Sequence, residues 1–314
     1  LLNHYIWILT PVVVALIGLP VAIGSWIGQR AAPIERKSDQ SVSTMVGALL
    51  GLLAFTLAFT FNMASSRYDT RRQLLRDEAN AIGTLYRRAV LFPDPHGQEV
   101  RQLLREYVDI RLESVKVPAK FPANLNRSQE IQTQLWQHAS TLATEDARSW
   151  IPAWFIESLT QITELQSKRI GAGFGRIPLS VWFILDVITV LSMLAMGYQA
   201  GLTGRLRYFP MAMLIFSFAM VITLIEDLDQ PQGGLIRIDQ TALVDVQKFM
   251  QEEVNLTSPI IQKMKEYGCS LVKMADLLRS LPARLWKKPY VMAGLTVKCK
   301  ALMKKHIKNI AEIL

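Results

Sequence analysis

Residue types that commonly form catalytic or metal sites, such as cysteine and histidine, are scarce in this chain of 314 residues. It has only two cysteines and four histidines, and 19% of its residues are charged. Cys269 and Cys299 lie far apart and match no metal-binding or redox spacing, so no structural disulfide is expected. The histidines are scattered and predict no metal site. They are His4, His96, His138 and His306.

Motifs for catalysis are also lacking. The sequence holds no nucleophile motif and no phosphate-binding loop, so we predict neither an enzyme nor a bound cofactor. The fragment Gly171-Ala-Gly-Phe-Gly175 follows a predicted helix rather than a strand, and we interpret it as a flexible joint rather than a dinucleotide loop. Strand-like alternation is missing from the middle of the chain, so an all-helical fold is expected. Nothing predicts nucleic-acid binding.

Four long apolar stretches dominate the remaining pattern: Tyr5–Ile27, Val42–Phe61, Leu179–Met196 and Met211–Leu228. A helix needs about 20 mainly apolar residues to cross a bilayer, and helices satisfy their own backbone polar groups there. The first stretch could be a signal peptide, but its length and the absence of an obvious cleavage site favour a retained anchor. We therefore predict an all-α protein with four transmembrane helices in the cell membrane.

The predicted organisation has five parts. Residues 1–62 form a first transmembrane hairpin, 63–176 a helical domain, 177–230 a second hairpin, 231–250 a post-membrane segment and 251–314 a tail. The second membrane helix has no proline between Ala64 and Phe92, so it should continue into water until Pro93 and Pro95 stop it. The distribution of Arg and Lys favours a cytoplasmic middle domain and C-terminus.

The tail differs in composition from the rest of the chain. From Gln251 onward there are 10 Lys, 2 Arg and 5 acidic residues, against 5 Lys and 18 Arg before it. One helical face is apolar and most lysines lie elsewhere, which suits anionic lipid or an acidic partner. A solvated tail kept soluble by its lysines is the alternative. The apolar face comprises Leu295, Cys299, Leu302, His306, Ile310 and Ile313.

Three segments resemble the bestrophin-like domain family of membrane proteins. They are the run from Leu53 to Arg72 with Asp77–Thr84, the stretch Leu159–Trp182, and the stretch Asp227–Ile236. Gln166, Leu179 and Gln230 depart from the family pattern, which has histidine, proline and arginine there. The resemblance covers about residues 42–250.

This family is distantly similar to bestrophins, which are pentameric anion channels with a hydrophobic neck on the second membrane helix. The resemblance implies a homo-oligomer whose pore neck is formed by Leu52, Phe55, Phe59 and Asn62, where an apolar ring can gate by dewetting. The alternative is that both phenylalanines pack against helices or lipid. A second interpretation of the whole protein is a non-conducting scaffold or sensor that recruits a partner.

A stripe of small residues lies on the same helix: Gly47, Gly51, Ala54 and Ala58. Small side chains let membrane helices approach closely. The stripe therefore predicts tight packing, either within one chain or between subunits.

Charged residues near the apolar stretches have two interpretations each. Arg67, Arg71 and Arg72 either enrich anions at a cytoplasmic mouth or form local ion pairs. Asp186 is either a proton or cation site or a carboxylate hydrogen-bonded to a neighbouring helix. The acidic group after the fourth stretch could bind calcium, although such groups are more often solvated helix ends. It consists of Glu226, Asp227 and Asp229.

Overall fold

The computed structural model describes residues 2–35, 39–145, 150–203, 208–230 and 236–267. Its α-helices are α1 (Leu2–Glu35), α2 (Asp39–Arg88), α3 (His96–Lys116), α4 (Phe121–Glu145), α5 (Ile151–Phe174), α6 (Leu179–Leu202), α7 (Tyr208–Asp229) and α8 (Thr241–Tyr267). Two 3₁₀ turns, Ala89–Leu91 and Pro118–Lys120, complete the regular structure of these residues. The predicted all-helical fold is confirmed for this part of the chain.

Among the residues that the structure describes, four segments are long and apolar enough to cross a membrane, judged by length and composition. They are Pro11–Ala32, Ser41–Leu91, Ile151–Leu202 and Phe209–Asp229. Each of the four apolar stretches falls within one helix, namely α1, α2, α6 or α7. The number of predicted membrane helices therefore agrees with the structure.

Helix α2 extends well beyond its apolar stretch, as the sequence predicts. It continues unbroken to Arg88 and tightens into the 3₁₀ turn Ala89–Leu91 before Pro93. At 1.5 Å per residue its 50 residues span roughly 75 Å. One helix thus contributes to both of the compact units described below.

Proline and glycine interrupt the helices less than their positions suggest. Helix α4 begins at Phe121, although Pro118 and Pro122 lie next to its start. Pro122 is compatible with this start because the first turn of a helix needs no N–H from it. The expected joint at Gly171–Gly175 is mostly helical, since α5 continues to Phe174 and the chain leaves the helix only at Gly175.

The chain divides into two compact units, which interleave along the sequence. Unit 1 comprises Leu1–Arg72 with Ile170–Ile238, and unit 2 comprises Gln73–Arg169 with Asp239–Leu314. Unit 1 is built on an apolar core from α1, α2, α6 and α7, in which Ile17, Leu53, Leu185, Met193 and Ile225 are fully buried.

Glycines allow α1 and α6 to approach closely within unit 1. A Cβ added at Gly24 would lie 2.1 Å from the backbone oxygen of Leu194, and one at Gly197 would lie 2.2 Å from that of Val21. Real side-chain carbons do not come so near to a backbone oxygen. The glycines are therefore what makes this packing distance accessible.

Unit 2 has its own core of aliphatic and aromatic side chains. Fully buried members include Ile82, Leu85, Tyr86, Leu104, Tyr107, Ile131, Leu135, Phe155 and Leu159. Helix α3 packs on α4 and on α8. Buried positions on α3 recur every three or four residues, which is the amphipathic spacing that the sequence predicts.

Helix α8 crosses the position where the composition of the chain changes. It runs from Thr241 to Tyr267, and Glu253 within it pairs with Arg101 of α3 at 3.3 Å. The beginning of the Lys-rich segment is therefore structurally continuous with unit 2. The predicted amphipathic helix of the tail, with its apolar face from Leu295 to Ile313, lies outside the described residues.

Candidate functional site

One face of α2 carries the predicted neck residues and is not covered by the other helices that the structure describes. Leu52, Phe55 and Phe59 retain 48%, 71% and 56% of their full exposure, and Asn62 is exposed as well. The opposite face, with Leu53, is buried in the core of unit 1. Within the described residues, the large apolar side chains on the outer face thus remain open to contact with lipid, another subunit or a pore.

The small-residue stripe of α2 is also uncovered. Gly47, Gly51, Ala54 and Ala58 are all exposed, and a Cβ at either glycine would meet nothing within 4 Å among the described residues. At 3.6 residues per turn this stripe lies roughly a quarter turn from the phenylalanine face. Close packing on the stripe, if it occurs, involves something other than the described helices of the same chain.

The three predicted mouth arginines have different surroundings. Arg67 and Arg72 are half-buried, whereas Arg71 is buried. Arg71 donates from Nη1 to the backbone oxygen of Asp229 at 3.2 Å and from Nη2 to that of Leu228. These are carbonyls at the C-terminus of α7, where a cation is favoured by the helix dipole. Arg71 therefore joins α2 to the end of α7.

The predicted acidic group at the end of α7 is not a solvated helix end. Asp227 and Asp229 are buried, and Glu226 is half-buried. The carboxylate of Asp229 accepts the backbone N–H of Ile177 at 3.0 Å, and Asp227 Oδ2 accepts that of Ile236 at 2.9 Å. Both carboxylates hold backbone segments that leave or approach the membrane helices.

Calcium binding by Glu226, Asp227 and Asp229 stays a prediction. Among the described residues, these three side chains alone do not place three carboxylate oxygens within 4.8 Å of one another. Calcium also accepts backbone carbonyls and waters as ligands. Asp186 is half-buried on α6, in the apolar part of that helix.

A buried polar cluster, which the sequence did not predict as a unit, joins α2, α3 and α5 in unit 2. Glu78 is completely buried, and its Oε2 lies 3.0 Å from Arg111 Nη2 and 3.0 Å from Arg169 Nε. Tyr107 donates its hydroxyl to Glu78 Oε1 at 2.8 Å. Gln166 lies beside it, with its Oε1 2.9 Å from the Tyr107 hydroxyl.

Electrostatics explain why this cluster is stable in a dry interior. Two guanidinium groups lie 3.0 Å from a single carboxylate, so its charge is compensated, and it accepts hydrogen bonds from Arg111 Nη2 and the Tyr107 hydroxyl. Burial, followed by the negative charge of Glu78, raises the pKa of Tyr107 well above its ordinary value of 10. The hydroxyl therefore stays protonated and remains a donor. Gln166, which departs from the family pattern, belongs to this cluster.

A second unpredicted grouping is formed by two of the scattered histidines. Nδ1 of His96 lies 3.0 Å from Nδ1 of His138, and the rings meet edge to face. Glu99 is close to both, and the ligand atoms of the three residues lie within 4.8 Å of one another. The sequence offered one signal, His96-x-x-Glu99, because this spacing places both side chains on one face of a helix.

A family model matches most of the chain, and solved structures share its fold. A model of the family described as Bestrophin-like domain matches residues 15–243. A crystal structure of a bacterial bestrophin homolog from Klebsiella pneumoniae has a TM-score of 0.55 at 15% identity, covering 75% of this chain and 97% of the other. A point mutant of that homolog has a TM-score of 0.56 at 16% identity, with coverage of 75% and 98%. No curated protein matches the sequence.

Proposed function

The chain belongs to the family of proteins with a Bestrophin-like domain, and from this premise we propose that it forms a homo-oligomeric ion channel, selective for anions, in the cell membrane. The pore is lined by α2, and Phe55 and Phe59 form its hydrophobic neck. Family membership also supports a non-enzymatic role. The observation that carries the proposal is the uncovered face of α2.

The exposure of Phe55 and Phe59 supports their place at a neck. Both side chains are more than half exposed on a helix whose opposite face is anchored in an apolar core. A ring of such side chains around a symmetry axis makes a narrow apolar constriction, from which water and ions withdraw. Leu52 and Asn62 extend the same face above and below it.

The small-residue stripe supports an oligomer. Its four members are uncovered in the single chain, and small residues favour close contact between membrane helices. If the α2 helices of neighbouring subunits meet along this stripe, the phenylalanine face a quarter turn away is directed toward a common axis. A pentamer is the number that the relationship to bestrophins suggests.

Arg67 and Arg72 supply the charge for anion selectivity at the mouth. Both are half-buried and lie one to three turns beyond Asn62 on α2. Repeated by symmetry, they raise the local anion concentration. Arg71 has a different role in this proposal, because its guanidinium is engaged by carbonyls of α7. The mouth and both termini are assigned to the cytoplasm.

Planar-bilayer recording of the purified, reconstituted protein tests the proposal. Wild type should show discrete conductance steps. In a KCl gradient, its reversal potential should lie nearer to the equilibrium potential of chloride than to that of potassium. The double substitution Phe55→Ala with Phe59→Ala should widen the neck and increase conductance. Phe183→Ala is the matched control, because Phe183 is about as exposed as Phe55 but belongs to α6 rather than to the proposed pore helix. Absence of current from both wild type and the double variant would contradict the proposal.

Stoichiometry separates the channel from the scaffold. Native mass spectrometry of the detergent-purified protein should give a ring-forming homo-oligomer. A monomer or simple dimer without conductance would favour the non-conducting scaffold or sensor, in which the helices of unit 2 and the basic tail recruit an acidic partner or anionic lipid. In that case deletion of residues 268–314 should abolish partner or lipid binding while leaving the protein in the membrane.

A further inference from the structure

Two imidazoles from different helices meet in unit 2 in an arrangement that suits a metal ion. His96 is the first residue of α3 and His138 lies on α4, yet their Nδ1 atoms are 3.0 Å apart. Both side chains are largely buried, with 14% and 18% exposure. Two neutral imidazoles can be this close if one donates to the other, or if both lone pairs face a shared cation.

The separation is close to that of two nitrogen ligands on one ion. Zinc–nitrogen bonds of 2.0–2.1 Å in a tetrahedral site place two ligand nitrogens about 3.3 Å apart. An opening of a few tenths of an ångström between His96 and His138 would therefore admit the ion. Such a shift is small for side chains on two packed helices.

The carboxylate of Glu99 is a candidate third ligand. Glu99 follows His96 by one helical turn, and its Oε2 lies 3.6 Å from Nε2 of His138, the ring nitrogen on the far side from His96. Its side chain is about half exposed, so it can rotate toward the two nitrogens. Among the described residues, this trio is the one group of three whose ligand atoms all lie within 4.8 Å.

The outer nitrogen of His96 also has a suitable neighbour. His96 Nε2 lies 3.6 Å from Glu145 Oε2, at the end of α4. Metal-binding histidines usually donate their second N–H to a carboxylate, which fixes the tautomer and presents the other nitrogen to the metal. Here that tautomer directs Nδ1 of His96 toward His138.

We propose that His96, His138 and Glu99 bind one divalent transition-metal ion, with Glu145 positioning His96. Imidazole ligands favour zinc and its neighbours over calcium or magnesium. The ion would link the first turn of α3 to α4 and so stabilise this helix pair by binding only the folded state. None of the proposed metal ligands is a proposed pore residue. The result of a metal-binding experiment therefore does not depend on whether the protein conducts ions.

Zinc binding to the purified full-length protein tests this site. The affinity tag is removed, the protein is stripped with a chelator, and zinc is added in a calorimetric titration. Wild type should bind one zinc per chain. His96→Ala and His138→Ala should each weaken binding at least about tenfold, Glu145→Gln should weaken it less, and His306→Ala is the matched control that should leave it unchanged. Equal affinity in wild type and His96→Ala would overturn the proposal, as would a wild type that binds no zinc.

A second measurement needs no variant and so does not depend on variant folding. Diethyl pyrocarbonate modifies imidazoles that solvent can reach, as the residual exposure of His96 and His138 allows, and mass spectrometry locates the modified residues. Zinc should protect His96 and His138 several-fold while leaving His4 and His306 as reactive as before. If zinc leaves the extent of modification of His96 and His138 unchanged, as it should for His4 and His306, the proposal is overturned.

Discussion

The carboxylate of Glu78 lies 3.0 Å from the guanidinium of Arg111, and both side chains are buried. Glu78 comes from α2 and Arg111 from α3, so the pair joins the long helix to its neighbour within unit 2. Replacing both members of such a pair by apolar residues can leave the stability unchanged. Removing only one member is destabilising, because the other charge then remains buried without a partner. The cluster is therefore a sensitive point of this unit.

We expect Glu78→Gln to destabilise the protein by about 3–5 kcal/mol, because it leaves Arg111 and Arg169 without a counter-charge. Thermal unfolding in detergent, followed by circular dichroism, measures the effect. Glu164→Gln is the control, because Glu164 makes an ion pair with Lys168 in which both side chains are mostly exposed. It should change the melting temperature little. An unchanged melting temperature for Glu78→Gln would show that the cluster does not hold unit 2 together.

High pH should reveal the buried hydroxyl of Tyr107. Burial raises its pKa well above 10 in the folded state, so between pH 10 and that value the unfolded chain binds fewer protons than the folded one. Its contribution to stability is then complete below pH 10 and decreases as pH rises further. We expect Tyr107→Phe to lower the melting temperature at about pH 8. At about pH 11 the difference in melting temperature between this variant and wild type should be smaller. A gap that stays constant would contradict the assignment.

The course of α2 could be predicted from the sequence because its causes are local. Proline is absent from Ala64 to Phe92, and apolar residues recur at helical spacing, so nothing ends the helix before Pro93. The four apolar stretches are equally local signals, since length and composition alone identify them. The phenylalanine face differs, because only the resemblance to bestrophins pointed to it, and the sequence left open whether it packs against helices, lipid or a pore.

The clusters could not be predicted because they depend on distant partners. His96 and His138 are 42 residues apart, and only the packing of α3 on α4 brings them together. Arg71 and Arg72 are adjacent and chemically identical, yet the position of α7 decides that Arg71 is buried. Periodicity indicates which face of a helix is apolar, but it does not identify the element that covers it.

The close packing of α1 on α6 in unit 1 can be tested by two glycine-to-alanine substitutions on α1. Gly24→Ala should destabilise the protein by about 1–3 kcal/mol, because its Cβ would lie 2.1 Å from the backbone oxygen of Leu194 on α6. Gly18→Ala is the control on the same helix, since a Cβ there meets nothing within 4 Å among the described residues. It should be neutral or slightly stabilising. Equal melting temperatures for the two variants would refute the close approach of α1 to α6.

The last prediction concerns Asp229, whose carboxylate accepts the buried backbone N–H of Ile177 just before α6 begins. Asp229→Ala leaves this donor without its acceptor, which typically costs about 1–3 kcal/mol. Hydrogen exchange measured by mass spectrometry should therefore quicken at Ile177 and the start of α6. Asp69→Ala, at an exposed position on α2, is the control and should leave exchange there unchanged. If both variants exchange as wild type does, Asp229 is not what holds the entry to α6.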